Sequence, residues 1–337
     1  MNPVLVNRWR GNAIENRHRG AVAVVEASGR VYAALGDVQR AVFPRSAIKC
    51  LQAIPFVESG AVEAFSLDDR HIALSCSSHN GEPIHAGLAQ DWLERIGCTH
   101  DHLECGAELP MHQATQFELM SEGRGPQRLH HNCSGKHLGF LSTCKQRGEQ
   151  FNNYRLYNHQ AQQRWFDVLE KISNTRVSQL PWGYDGCAIP TLAIPLQRIA
   201  LAMARFGDFS HFTGERRTAV ERIHAAITSN PYMVAGKERL CTALMERLAP
   251  HILIKVGADG VYTAVLPEHK LGIALKIDDG NDAAARVALG AVLQSLGVVP
   301  SDDAKALSEY LRPSVNNSRG ETIGRVEPSS DWETLTV

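Results

Sequence analysis

This chain lacks most of the features that mark a specialised role. Only 7% of its 337 residues are aromatic, and its charges nearly cancel: 35 Lys and Arg against 36 Asp and Glu, a net −1 at pH 7. No long block of one sign occurs, so there is no field to draw in nucleic acid or an anionic membrane, and neither is an expected partner. Long hydrophobic runs are missing too. The most apolar stretch, Ala188 to Phe206, is broken by Gln197 and Arg198, short of the ~20 apolar residues a bilayer span needs. The first ten residues, Met1 to Arg10, carry no apolar secretion signal, so a cytoplasmic location is expected. There is no Gly-x-Gly-x-x-Gly loop opening a helix and no regular strand–helix alternation, which argues against a dinucleotide fold and an organic cofactor. The eight cysteines (50, 76, 98, 105, 133, 144, 187 and 241) are scattered without a Cys-x-x-Cys pair. In a cytoplasmic chain they read as buried thiols rather than a disulfide framework.

What is present suits a large core: 44% of residues are hydrophobic. Gly20–Ala34, rich in Ala and Val around Ser28-Gly29, predicts a hairpin. Ser46–Ile54 predicts a helix that Pro55 kinks or ends. Ile72–Cys76 fits a short buried strand or a helix end. Pro83–Ile96, His137–Gln146, Phe151–Ile172, Pro195–Arg205, Arg216–Thr228 and Asp282–Leu296 have helical patterning. Gly123–Lys136 and Leu180–Pro190 read as loops, while Ile252–Gly257, Gly260–Leu266 and Leu271–Ile277 are strand-like. The tail from Ser329 is expected to fray. Strands thus cluster at both ends of the chain and helices fill the middle. The expected fold is mixed α/β (α+β): one antiparallel sheet from about 1–60 and 250–337, flanked by helices, with a helical insert at about 61–249, all forming one catalytic unit.

The motif with most chemical content is Phe43-Pro44-Arg45-Ser46-Ala47-Ile48-Lys49. A proline suits the start of a helix, and residues i and i+3 share a helix face. Lys49 would then reach Ser46, and a desolvated lysine is a base able to activate a serine hydroxyl. A helix cap is the structural alternative for Ser46. A second Ser-x-x-Lys, Ser142 to Lys145, precedes a polar run and reads as a helix end with its lysine in solvent. Ser78-His79-Asn80 offers a hydroxyl and an amide, or a turn before the next helix. Lys255-Val256-Gly257 places a cation beside a residue with no side chain, so that a substrate can lie along the strand. In order, these three match the signature of serine acyl-transferases of the β-lactamase and penicillin-binding class. In Asn132-Cys133-Ser134-Gly135-Lys136-His137 and Asp185-Gly186-Cys187-Ala188-Ile189-Pro190, two cysteines lie beside glycines in loops. Two thiolates and a third donor suffice for zinc with one open position, although buried free thiols are the default and lysine is a rare ligand.

Together with Arg19-Gly20-Ala21-Val22, Asn230–Gly236 and Lys255–Val261, these motifs make the chain resemble the rhizobial-type (class 3, thermolabile asparaginase II) L-asparaginases from about Glu15 to Arg325. The resemblance implies hydrolysis of L-asparagine to L-aspartate and ammonia. It implies a fold related to serine β-lactamases, transpeptidases and glutaminases, and a homodimer. It carries Ser46, Lys49, Ser78 and Lys255 over as catalytic residues, and Cys133, Lys136 and Cys187 as zinc ligands with water as the fourth. Arg45, His79, Asn80 and Asp185, within or beside the same motifs, are the candidate substrate-binding groups. The other readings are a zinc-water amidohydrolase, a β-lactamase-like acyl-transferase on another amide, and an inactive amino-acid-binding protein.

Overall fold

The structure, a computed structural model, describes residues 1–334. The chain divides into two compact units. One comprises 1–47, 193–208 and 254–337, and the other 48–192 and 209–253. The terminal segments carry the sheet, and the helix at 193–208 belongs with them.

The first unit is built on an eight-stranded sheet. Its order is Ser314–Asn316, Thr322–Pro328, Val4–Arg10, Ala13–Glu26, Leu271–Ile277, Val261–Leu266 and Leu253–Gly257, with Val31–Leu35 paired to the second half of Ala13–Glu26. The registers of Ala13–Glu26 with its neighbours are antiparallel. Gly20 sits where that long strand passes from one partner to the next. A β-carbon there would lie 2.4 Å from the Lys276 carbonyl oxygen, so only glycine fits. Every residue of Val261–Leu266 is buried, which requires both faces of the sheet to be covered. The Leu196–Gly207 helix covers one stretch so closely that a β-carbon on Gly272 would meet the Ala200 carbonyl at 2.1 Å. The Asp282–Ser295 helix, whose first turn is capped by the Asn281 side chain accepting from the Ala284 N–H, covers another.

The second unit is mainly helical. Its centre is the Ser134–Gln146 helix, buried from Ser134 through Cys144, the all-round burial expected of a core helix. A β-carbon on Gly135 would lie 2.1 Å from the Leu74 carbonyl oxygen, so this glycine permits direct contact with the Asp69–Ser75 helix. The latter is capped by Asp68, whose carboxylate accepts from Arg70 N–H and His71 N–H.

Several local expectations are corrected. Ser46–Ile54 is not one helix: a 3-10 turn covers Arg45–Ile48, and helices follow at Lys49–Gln52 and Ile54–Glu58. Pro55 therefore opens a helix instead of ending one, where its missing N–H costs nothing. Residues 151–159 form turns, and the helix begins at Gln160 under a His159 cap. Leu180–Pro190 contains a short strand, Trp182–Tyr184, paired with Pro190–Leu192. Ile72–Cys76, by contrast, takes one of its two expected forms, the helix end. In the tail, 330–334 form a 3-10 turn, and 335–337 lie outside the described residues. No helix among the described residues is long and apolar enough to cross a membrane.

Candidate active site

In the sheet unit, Ser46 is half-buried in the 3-10 turn Arg45–Ile48. The turn is fixed from both sides. Ala47 N–H donates to the Pro44 carbonyl at 3.0 Å, and Thr263 Oγ1 donates to the Ala47 carbonyl at 2.8 Å. A β-carbon on Gly257 would lie 2.6 Å from the Pro44 carbonyl oxygen. The glycine of the Lys-x-Gly pattern is thus demanded by the Ser46 turn itself. Lys255, buried on the same strand, donates to the Val256 carbonyl at 2.9 Å. Arg45 has a left-handed backbone, φ 51°, as does Asp259 at φ 58°, a costly conformation for either residue. Their side chains form an ion pair, so Arg45 is tied to the 257–260 turn.

In the helical unit, Lys49 is fully buried at the start of its helix. Its Nζ donates to the Ser77 carbonyl, to Ser78 Oγ at 3.2 Å and to Cys133 Sγ at 3.0 Å. One lysine Nζ thus joins the second serine to the first of the two loop cysteines. Lys136 Nζ lies 2.9 Å from Cys187 Sγ. Cys133, Lys136 and Cys187 are each at most 5% exposed, so these sulfurs and amines meet away from solvent. The Cys187 thiol donates to Cys133 and holds its thiol well below the usual range against the opposing effect of burial, with Lys49 and Lys136 adding to the shift. Cys187 is pushed up correspondingly by the same bond and by burial. Burial works to lower Lys136, but the two sulfurs and Asp185 outweigh it and raise its pKa.

The other candidates have structural partners. His79 accepts the Gly81 N–H on Nδ1 at 3.0 Å, which makes Nε2 the donor to Ser134 Oγ at 2.8 Å. Burial, then His85 and Lys49, hold His79 neutral. Asn80 donates to the Lys237 carbonyl and accepts from Arg239 Nη1 at 2.7 Å. Asp185 Oδ1 accepts the Gly186 N–H at 2.7 Å, within a turn that sets Ala188 at φ 66°. Ser142, from the second Ser-x-x-Lys, donates to Leu138 and accepts from Trp92 Nε1, while Lys145 lies over the Phe151 ring.

Supports that sequence reasoning did not assign also surround Ser78. The His85 ring stacks between His79 and Tyr232, with centroids 5.0 and 5.8 Å away. Tyr232 donates to Glu82 Oε2 at 2.6 Å, and Lys237 N–H donates to Oε1 at 2.9 Å. Burial raises the Glu82 pKa, but these two bonds prevail and hold it below the ordinary carboxylate value. The available signal was the glycines: Gly81 and Gly236 have φ 74° and 100°, and a β-carbon on Gly236 would lie 2.3 Å from Glu82 Oε1.

As to metal, no group of three His, Cys, Asp or Glu side chains among the described residues is arranged to hold an ion. The set in question has two sulfurs and one amine. These are donors of the N and S types zinc prefers, but Lys136 Nζ donates to Cys187 Sγ and the two sulfurs and Asp185 raise its pKa, so it would have to give up that proton to bind.

The family model described as L-asparaginase II matches residues 6–328. That class consists of hydrolytic enzymes that cleave a small-molecule amide. The chain belongs to the L-asparaginase II family and is an amidohydrolase of the asparaginase type. No curated protein matches the sequence. Among solved structures, "Mglu in its native form" is 14% identical with a TM-score of 0.45, over 90% of this chain and 71% of that one. A class C β-lactamase from Rhodobacter sphaeroides is 14% identical with a TM-score of 0.41, over 82% and 94%. The D-alanine carboxypeptidase AmpC from Burkholderia cenocepacia is 14% identical with a TM-score of 0.38, over 80% and 93%.

Proposed function

We propose that the protein hydrolyses the side-chain amide of L-asparagine to L-aspartate and ammonia by serine acyl transfer. The observation that carries this reading is the setting of Lys49: fully buried, three residues after Ser46, and hydrogen-bonded to Ser78 Oγ. Ser46 attacks the amide carbon, and Lys49, as base, takes its proton. The amine leaves as ammonia after Ser78 relays a proton to it. Water then cleaves the aspartyl ester. Backbone N–H groups near Ser46 and beyond Lys255 are the proposed oxyanion donors. Lys255, on the strand whose Gly257 abuts the Pro44 carbonyl of the Ser46 turn, is the second proposed catalytic lysine. Arg45 and Asp185 are the candidate contacts to the substrate's charged ends. His79 and Asn80, being engaged with Ser134, Lys237 and Arg239, shape the turn that carries Ser78.

Cys133, Lys136 and Cys187 are the proposed zinc ligands. Bound there, zinc would supply a Lewis acid that orders the two loops. Lys49 touches Cys133, so a change at that sulfur is felt by the proposed base. The homodimer and the cytoplasmic location implied by the resemblance belong to the same proposal. Sedimentation as a 37.0 kDa species would remove the dimer.

The test is ammonia release from L-asparagine by wild type, Ser46→Ala and Cys133→Ser. Activity lost in Ser46→Ala and retained in part by Cys133→Ser supports the serine mechanism. The reverse pattern would move the attack to a metal-bound water.

A further inference from the structure

The helical unit contains a cavity of about 350 Å³ between the Pro83–Arg95 and Gln113–Ser121 helices, at the lower end of the size range for small-molecule sites. It is separate from the Lys49 cluster: neither Lys49, Ser78, Cys133, Lys136 nor Cys187 lines it. Three features set it apart from a packing gap.

His130 lines the cavity, is 4% exposed, and its Nδ1 is buried with no hydrogen-bond partner among the described residues. A buried polar atom left in this way costs about 1–3 kcal/mol, so the ring forms a polar, incompletely bonded part of the cavity wall and senses what fills it. Next, the Glu118 carboxylate and the Gln127 carboxamide also line the cavity, and neither side chain has a hydrogen bond or ion pair among the described residues. Finally, Gly87 leaves the wall open. It lies inside the Pro83–Arg95 helix, yet a β-carbon there would meet nothing within 4 Å. Packing does not require a glycine, which costs about 1 kcal/mol in a helix interior.

The lining chemistry narrows the occupant. Arg124 is its only Arg or Lys, and that guanidinium already pairs with Glu122 at 2.8 Å. A phosphate group calls for more positive charge. The lining has no Phe, Tyr or Trp on which a nucleobase would stack. One carboxylate, the carboxamide of Gln127, one guanidinium and an apolar floor of Leu119 and Leu129 remain, since the second carboxamide, Gln90, is taken up by Glu94 and His100. This set complements an ammonium, a carboxylate and an aliphatic side chain on one small molecule.

We propose that this cavity is a second binding site, specific for a small aliphatic α-amino acid, with the ammonium on Glu118, the carboxylate on Gln127 and Arg124, and the side chain on Leu119 and Leu129. The site adjoins the catalytic motifs from behind. Gly81 lines it and donates to His79, and the His130 carbonyl lies 2.9 Å from where a Gly81 β-carbon would stand.

The test is titration of the full chain with L-leucine, read by calorimetry and by the ring resonances of 15N-histidine-labelled protein, with His130→Gln used to assign the His130 signals. The expected result is one leucine per chain, a shift of the His130 signals, and no displacement by L-asparagine. Ala86→Leu puts a side chain into the cavity from a helix position that favours leucine, and Glu118→Gln removes the exposed ammonium partner. Each should weaken leucine binding at least about tenfold with turnover unchanged. Absence of leucine binding, displacement by L-asparagine, or full binding in both variants would overturn the proposal. None of these readings depends on which amide the enzyme hydrolyses.

Discussion

Gly257→Ala is the perturbation that tests most closely how Ser46 is held. The new β-carbon would lie 2.6 Å from the Pro44 carbonyl oxygen, 3.1 Å from Val261 Cβ and 3.2 Å from Ala47 Cβ. Ordinary contact begins near 3.4 Å. The Pro44 carbonyl must therefore retreat by ~0.8 Å, and overpacking of this kind costs about 1–3 kcal/mol. Pro44 and Ala47 bracket Ser46, and their carbonyls are the acceptors for Ala47 N–H and Thr263 Oγ1, so the displacement reaches the proposed nucleophile. A shift approaching 1 Å at a reacting group costs up to about 10²-fold in rate. Steady-state kinetics on L-asparagine should show kcat reduced by about 10- to 100-fold with KM changed by less than about threefold, and thermal unfolding should show a loss of a few degrees. An unchanged kcat would refute the reasoning. A raised KM at full kcat would instead mean that the glycine makes room for substrate along the strand, as the sequence pattern alone leads one to expect.

Asp259→Ala removes the partner of the left-handed Arg45; kcat should fall by about tenfold or more, and an effect on KM alone would show that Arg45 acts only on substrate. His224, packed against Phe209 with ring centroids 5.4 Å apart, is pushed down to about 4 by burial from its ordinary value of 6.5. The unfolded chain therefore binds a proton that the folded chain refuses, and stability present above pH 6.5 declines as pH falls toward 4. Between pH 7.5 and 5 this amounts to about 2 kcal/mol. His224→Gln should remove that share of the pH slope in urea unfolding, and an identical slope would contradict it. Zinc binding, followed by equilibrium dialysis, should strengthen as pH rises because Lys136 and the thiols must shed protons. Cys187→Ser should weaken it by about 10²-fold, and equal binding by the variant would exclude the ligand set.

The sheet was legible in sequence where it is buried. Gly20–Ala34 and the three runs after Ile252 are apolar-rich segments punctuated by turn residues, and the structure makes each of them strands. The outer strands were not legible, because their pairing rests on polar cross-strand contacts. Trp9 faces Arg325 in register, with the guanidinium 4.8 Å from the ring centroid, and such a pair has no local signature. Pro55 misled for a related reason: whether a proline ends a helix or opens one depends on where the preceding turn stops. At the site, residue types and spacing picked out Lys49, Ser78 and the two cysteine motifs; the structure joins Lys49 Nζ to Ser78 and Cys133, and Lys136 to Cys187. His85, Tyr232 and Arg239 were not found, because stacking and second hydrogen bonds join segments about 150 residues apart.

The central claim is that Ser46 forms an ester with the substrate. Intact-mass measurement of the protein quenched in acid during turnover of L-asparagine, beside Ser46→Ala, tests it directly. The account predicts an adduct of one aspartyl group on the wild-type chain, mapped to the peptide carrying Ser46, and none on the variant, which releases no ammonia. Turnover by the Ser46→Ala chain would contradict it.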